Sequence, residues 1–166
     1  MNFQFYFEKL KHSKDFKEFI GENKDSFFCS GFFTLNKKGE KDVQNMDYFV
    51  PSKNKMFSFK INEGVELVPV DDFGDKFKPE KISEEINFNF EEIERMIQDR
   101  MNKENIKNKI EKLLLSLQAN KKKNYILGTV FISGLGLLKV KIDLNEMKIV
   151  DFEKKSLLDM MKIVKK

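Results

Sequence analysis

The chain has 166 residues, enough for one ordinary domain or two small units sharing a core. At 40% hydrophobic and 35% charged residues it falls within globular composition and outside that of a disordered chain. The net charge of +4 comes almost wholly from lysine, with arginine only at Arg95 and Arg100, which argues against the arginine-based readout of nucleic acids; the lone Cys29 excludes an intramolecular disulfide and the lone His12 a His-rich zinc site.

There are 18 Phe and no Trp, so phenylalanine must fill much of the core. The N-terminus mixes Phe with Glu, Lys and His and lacks the apolar run of a secretory signal. The longest apolar stretch, residues 125–140, is interrupted and too short for a membrane helix. The expectation is a cytoplasmic protein without a membrane partner.

Phe7, Leu10, Phe16, Phe19 and Ile20 recur near a 3.6-residue period and are followed by Gly21, which predicts one helix over residues 7–20. Before it, Phe3, Phe5 and Phe7 alternate with polar neighbours, a pattern that fits either a short strand or the start of the helix. Residues 26–36 form an apolar run of strand character closed by a turn at residues 37–40, and residues 48–50 form a short strand before Pro51. Residues 55–62 alternate, with Phe57, Phe59 and Ile61 on the apolar side. Residues 65–70 make their hairpin partner, with Pro69 placing the end at an edge.

Residues 71–89 read as an irregular linker. Asn89 followed by Glu92 has the pattern of a helix cap. Ile93, Met96, Ile97 and Met101 form a stripe that Ile106, Ile110, Leu113, Leu114 and Leu117 extend, giving a helix either continuous or broken at residues 102–105. Strands follow at residues 125–133, 137–143 and 147–152, the first two joined by Gly134-Leu135-Gly136, and Ser156 caps a short C-terminal helix.

The two halves share local pattern. Residues 56–62 run parallel to 137–143 in apolar and polar class, residues 65–68 to 147–150, and Ser30 to Phe33 to Thr129 to Ile132. A duplication accounts for this most simply. The expected fold is α+β: two helix-plus-antiparallel-sheet repeats, residues 1–78 and 79–166, each with three strands and packed into one body.

The segment LLKVKIDLNEMKIVDFEKKSL, from Leu137 to Leu157, resembles the PepSY domain, a small α+β module found alone, in tandem and in protease propeptides. The first half carries the looser KINEGVELVPV, and Leu144-Asn145-Glu146 stands where that family commonly has Thr-Gly after the Asp. Cystatin-like folds share the same helix-on-sheet layout. The resemblance implies a binding or inhibitory module and transfers no active-site residue.

Candidate chemistry is sparse. A Cys29–His12 dyad is formally available, but Cys29 reads as a small core residue and His12 as a solvated one. Asp71, Asp72 and Asp75 around Gly74 offer oxygens to a hard cation without the spacing of a calcium loop. Asp143 and Asp151 flank a turn, where Asp serves local hydrogen bonding. Lys121-Lys122-Lys123 near Tyr125 offers phosphate contacts and a stacking ring. No catalytic, cofactor or metal site is expected. The leading expectation is a non-enzymatic module for a protein or peptide partner at a sheet edge or in the groove between repeats. A weak nucleic-acid binder and a carboxylate-based metal enzyme follow it.

Overall fold

A computed structural model of the chain describes residues 2–68, 70, 78–156, 158 and 161. In chain order the elements are α1 (Phe3–Lys11), α2 (Lys14–Glu22), β1 (Phe27–Asn36), β2 (Val43–Val50), β3 (Lys55–Ile61), β4 (Val65–Val68), α3 (Phe90–Lys103), β5 (Ile110–Asn120), β6 (Lys123–Ile132), β7 (Gly136–Asp143) and β8 (Lys148–Ser156). The architecture is mixed α and β, and most of it is sheet. Eight strands form a single antiparallel sheet in the order β4-β3-β2-β1-β5-β6-β7-β8. It consists of two four-stranded meanders joined back to back where β1 pairs with β5, with Gly31 opposite Leu117 and Phe33 opposite Leu115.

The single helix expected over residues 7–20 is two. Asn2 caps α1 by accepting the Phe5 N–H, and Ser13 caps α2 by accepting the Phe16 N–H, so the backbone is extended between them. The apolar spacing agrees with the break: Phe3, Phe7 and Leu10 share one stripe, and Phe16 and Phe19 begin another. The ambiguous Phe3-Phe5-Phe7 segment is the first turns of α1.

A larger correction concerns residues 106–117. The helix capped by Asn89 ends at Lys103, where Asn105 takes a left-handed φ of 57°. Ile110 to Leu117 belong to strand β5, whose Leu113, Leu115 and Leu117 are fully buried while Leu114 and Ser116 between them are half-exposed. The second half therefore has four strands, as does the first. Counting outward from the β1–β5 seam, residues 56–62 and 137–143 lie on β3 and β7, and residues 65–68 and 147–150 on or beside β4 and β8. Ser30 to Phe33 occupy the position of β5, not of the segment 129–132 on β6. β2 begins at Val43 rather than at Tyr48, because Gln44, Asn45 and Asp47 hide its alternation.

The three α-helices among the described residues cover one face of the sheet. Phe3 and Phe7 of α1 lie against Phe28, Phe16 and Phe19 of α2 against Tyr48 and Phe59, and Phe90 of α3 against Phe33, with ring centroids 5.0–6.1 Å apart. Phe59, on the apolar side expected of its strand, and Ile142 are completely buried. Gly31 serves this packing: a Cβ there would come 2.9 Å from the Phe33 ring, so the ring can lie flat over β1 only because the side chain is missing.

Residues 78–89 do more than link the halves. Glu80 accepts the N–H groups of Lys121 and Lys122 at the tip of the β5–β6 hairpin, and Ile82 donates its N–H to Phe28. Gln4 holds the carbonyls of Glu84 and Ile86, and Phe3 donates to Phe88. Ile82 is wholly buried, and the Phe88 ring stacks on Phe3 at 5.2 Å. The segment is thus a strap through the helix layer. Residues 71–77, with Asp71, Asp72 and Asp75, lie outside the described residues. So does most of the C-terminal helix expected after Ser156.

Candidate functional site: the open face of the sheet

Side chains on the face away from the helices fall into rows across the strands, because in-register neighbours point the same way. One row through β3, β2, β1, β5 and β6 is Ser58, Asp47, Ser30, Gln118 and Tyr125. The next is Lys60, Asn45, Phe32, Ser116 and Leu127, and a third holds Val43, Thr34, Leu114 and Thr129.

The flanks of this face are charged and self-complementary. Lys60 stands opposite Glu66 on β4, and on the far side Lys139 faces Glu153, Lys141 faces Asp151 and Asp143 faces Lys148. Opposite charges placed across an antiparallel pair attract modestly, and the ion pairs that close on the far flank are Lys148 with Glu146 at 2.9 Å and Lys155 with Glu153 at 3.7 Å. Between the flanks, Asp47 is the sole charge that β1, β2, β5 and β6 carry on these three rows. The rest of the centre is apolar, hydroxyl or amide, and both Phe32 and Leu127 are 38% exposed. At one end, where Leu114 and Phe131 meet Asn36, Lys38, Glu40, Glu111 and Lys112, lies an open cleft of about 350 Å³. The ring contacts of α1, α2 and α3 with the sheet all fall on the opposite face.

Asp47 sits at the border of the patch. Its carboxylate accepts the Ser30 hydroxyl at 2.6 Å and a hydrogen bond from Ser58. Burial raises its pKa above the usual carboxylate value, and the two serine hydrogen bonds oppose that rise without cancelling it. Beside it, at the bulge where β1 slips against β2, Cys29 points its thiol at the Asp47 carbonyl, 3.4 Å away, and at the Met56 sulfur, 3.7 Å away. Burial, aided by the Asp47 charge, pushes the Cys29 thiol up to about 12, the reverse of what a nucleophile requires.

The structure separates most of the groups singled out in the sequence. His12 ends α1 with its Nδ1 on the Glu8 carbonyl, and its side chain is 76% exposed, so it shares no partner with Cys29. Asp143 is buried as a turn cap, accepting the N–H groups of Asn145 and Glu146, whereas Asp151 is exposed opposite Lys141; they form no carboxylate pair. Lys121 and Lys122 form the hairpin tip in left-handed conformation, and their N–H groups are taken by Glu80. Tyr125 carries the Lys141 ammonium 4.3 Å above its ring. Among the described residues no group of three or more His, Cys, Asp or Glu side chains is placed to hold a metal ion, and no helix is long and apolar enough to cross a membrane.

Sequence reasoning passed over Phe32, Leu127 and Asp47. A signal existed for the first: Phe27-Phe28 and Phe32-Phe33 are doublets in a strand, and adjacent strand residues face opposite ways, so one ring of each doublet must leave the helix-covered core.

No family model matches the chain, and no curated protein matches its sequence. Among solved structures, its fold is similar to the crystal structure of a putative lipoprotein from Clostridium difficile 630, with a TM-score of 0.56 over 85% of this chain and 90% of that one at 12% identity. At that identity the likeness is one of fold, and it carries no residue role across.

Proposed function

We propose that this protein is a non-catalytic binding module that engages a protein or peptide partner on the open face of its sheet, at the seam between the two meanders. The observation that carries the reading is the centre of the face, where exposed Phe32 and Leu127 lie among hydroxyl and amide side chains with Asp47 as the one charge, between flanks on which opposite charges stand in register. Exposed aromatic and aliphatic side chains ringed by polar groups are the usual composition of an interface centre. The thiol is buried and poorly ionised and the histidine solvated, so Cys29 and His12 do not make a catalytic dyad. We also read the two meanders as a duplicated unit. The matching order of strands from the seam outward supports this, and with the PepSY-like segment it agrees with a binding rather than a catalytic role.

The test is site-specific photocrosslinking in cells. Benzoylphenylalanine in place of Phe32 is expected to give a discrete protein adduct that the same probe at Glu18, exposed on α2, does not give. Identical adduct patterns at both positions would refute the reading.

A further inference from the structure

The open face holds a carboxylate that no cation among the described residues neutralises. Each charge on the flanks has an opposite neighbour in register, Lys60 with Glu66 included, whereas Asp47 has two serine hydroxyls and no cation within ion-pair distance among the described residues. It stands in a row of neutral side chains, Ser58, Ser30 and Gln118, one rung from Phe32, and is itself half-buried.

Keeping an ionised carboxylate half-buried and unpaired costs the isolated fold. If its role were local, a turn or helix cap would use it, as Asp143 is used; Asp47 lies instead in mid-strand, where both backbone groups are engaged in the ladder. A cation brought by a partner that covers this patch and displaces its water would be held by the Coulomb term and by hydrogen bonding to the carboxylate oxygens. The serines already orient the acceptor.

Resting on the reading of this face as an interface, we propose that the partner is a protein or peptide presenting an arginine or lysine, which pairs with Asp47 while adjacent apolar side chains cover Phe32 and Leu127. Arginine is the better fit, since its planar fork can reach the carboxylate while its stem lies along the Phe32 ring. Burial of Asp47 strengthens the pairing by limiting competition from water.

The probe is a random peptide library displayed on phage and selected against the wild-type chain. Selected peptides are mapped by amide shifts in the ¹⁵N-labelled protein and titrated against wild type and Asp47→Asn. Peptides that shift amides of β1, β2, β5 and β6 are expected to carry Arg or Lys. They should bind Asp47→Asn about thirtyfold or more weakly. Replacing the peptide arginine by citrulline should cost a similar factor toward wild type and little toward Asp47→Asn, which tests the pair without altering the protein's fold. Peptides that map to this face yet bind both proteins equally, or lose nothing to citrulline, would overturn the proposal and leave the interface standing. Selection of peptides that map only to the helix layer would overturn the interface itself.

Discussion

Ile82→Ala separates a structural strap from a mere connector. The Ile82 side chain is fully buried, and its N–H bonds the Phe28 carbonyl at 2.8 Å, a bond the alanine variant keeps. The loss is therefore that of the side chain alone. Removing an isoleucine to alanine at a site with no solvent access costs about 2–5 kcal/mol. The upper part of that range applies if the neighbouring rings cannot collapse into the space, and the rings here are locked against one another, Phe88 on Phe3 and Phe3 on Phe28. For a chain of 166 residues the melting temperature should fall by roughly 4–20 °C. Urea unfolding should show a lower midpoint at unchanged slope, because the native and unfolded surfaces hardly change. Amide exchange should quicken at Phe3, whose N–H is held by the strap, before it does at Leu115 in mid-sheet. A loss below about 0.5 kcal/mol, the range of surface substitutions, would refute the claim that residues 78–89 are part of the core.

Leu135 is 63% exposed and has a left-handed φ of 58°, so Leu135→Asn gives up little burial and relieves backbone strain; thermal unfolding should show a gain of about 0.5–1 kcal/mol. Cys29, with a thiol pushed up to about 12 and 3% exposure, should react with iodoacetamide near pH 8 only as fast as the chain unfolds, which mass spectrometry against a urea-unfolded control will show. The raised carboxyl of Asp47 means that the folded state holds its proton more tightly than the unfolded chain. That contribution to stability is complete below the ordinary carboxylate value of 3.8 and is lost as pH rises through the higher folded value. Asp47→Asn has no such loss. Urea titrations from about pH 3 to pH 7 should therefore show the variant gaining on the wild type as pH rises, and parallel curves would contradict the assigned burial.

Several elements were legible in the residues themselves. The alternation of Phe57, Phe59 and Ile61 made β3, the Asn89 cap started α3, and the Gly134-Leu135-Gly136 turn joined β6 to β7, because each depends on neighbours within a few residues. Strand β5 was not legible in the same way. Ile110, Leu113, Leu114 and Leu117 satisfy a helical stripe as well as Leu113, Leu115 and Leu117 satisfy a strand. The choice is made by β1, whose residues Ser30 to Asn36 pair with Gln118 back to Lys112, a contact more than seventy positions away in sequence.

The same distance explains the site. The sequence by itself determined a Phe-rich chain of mixed helix and sheet, since composition and local period need no partner strand. Only the tertiary structure decided which ring of each Phe doublet faces the helices, that residues 78–89 run through the core, and that Asp47 has no counter-charge among the described residues. Each of those depends on strands brought together across the whole chain, and a side chain's burial and electrostatic surroundings exist only once they are paired.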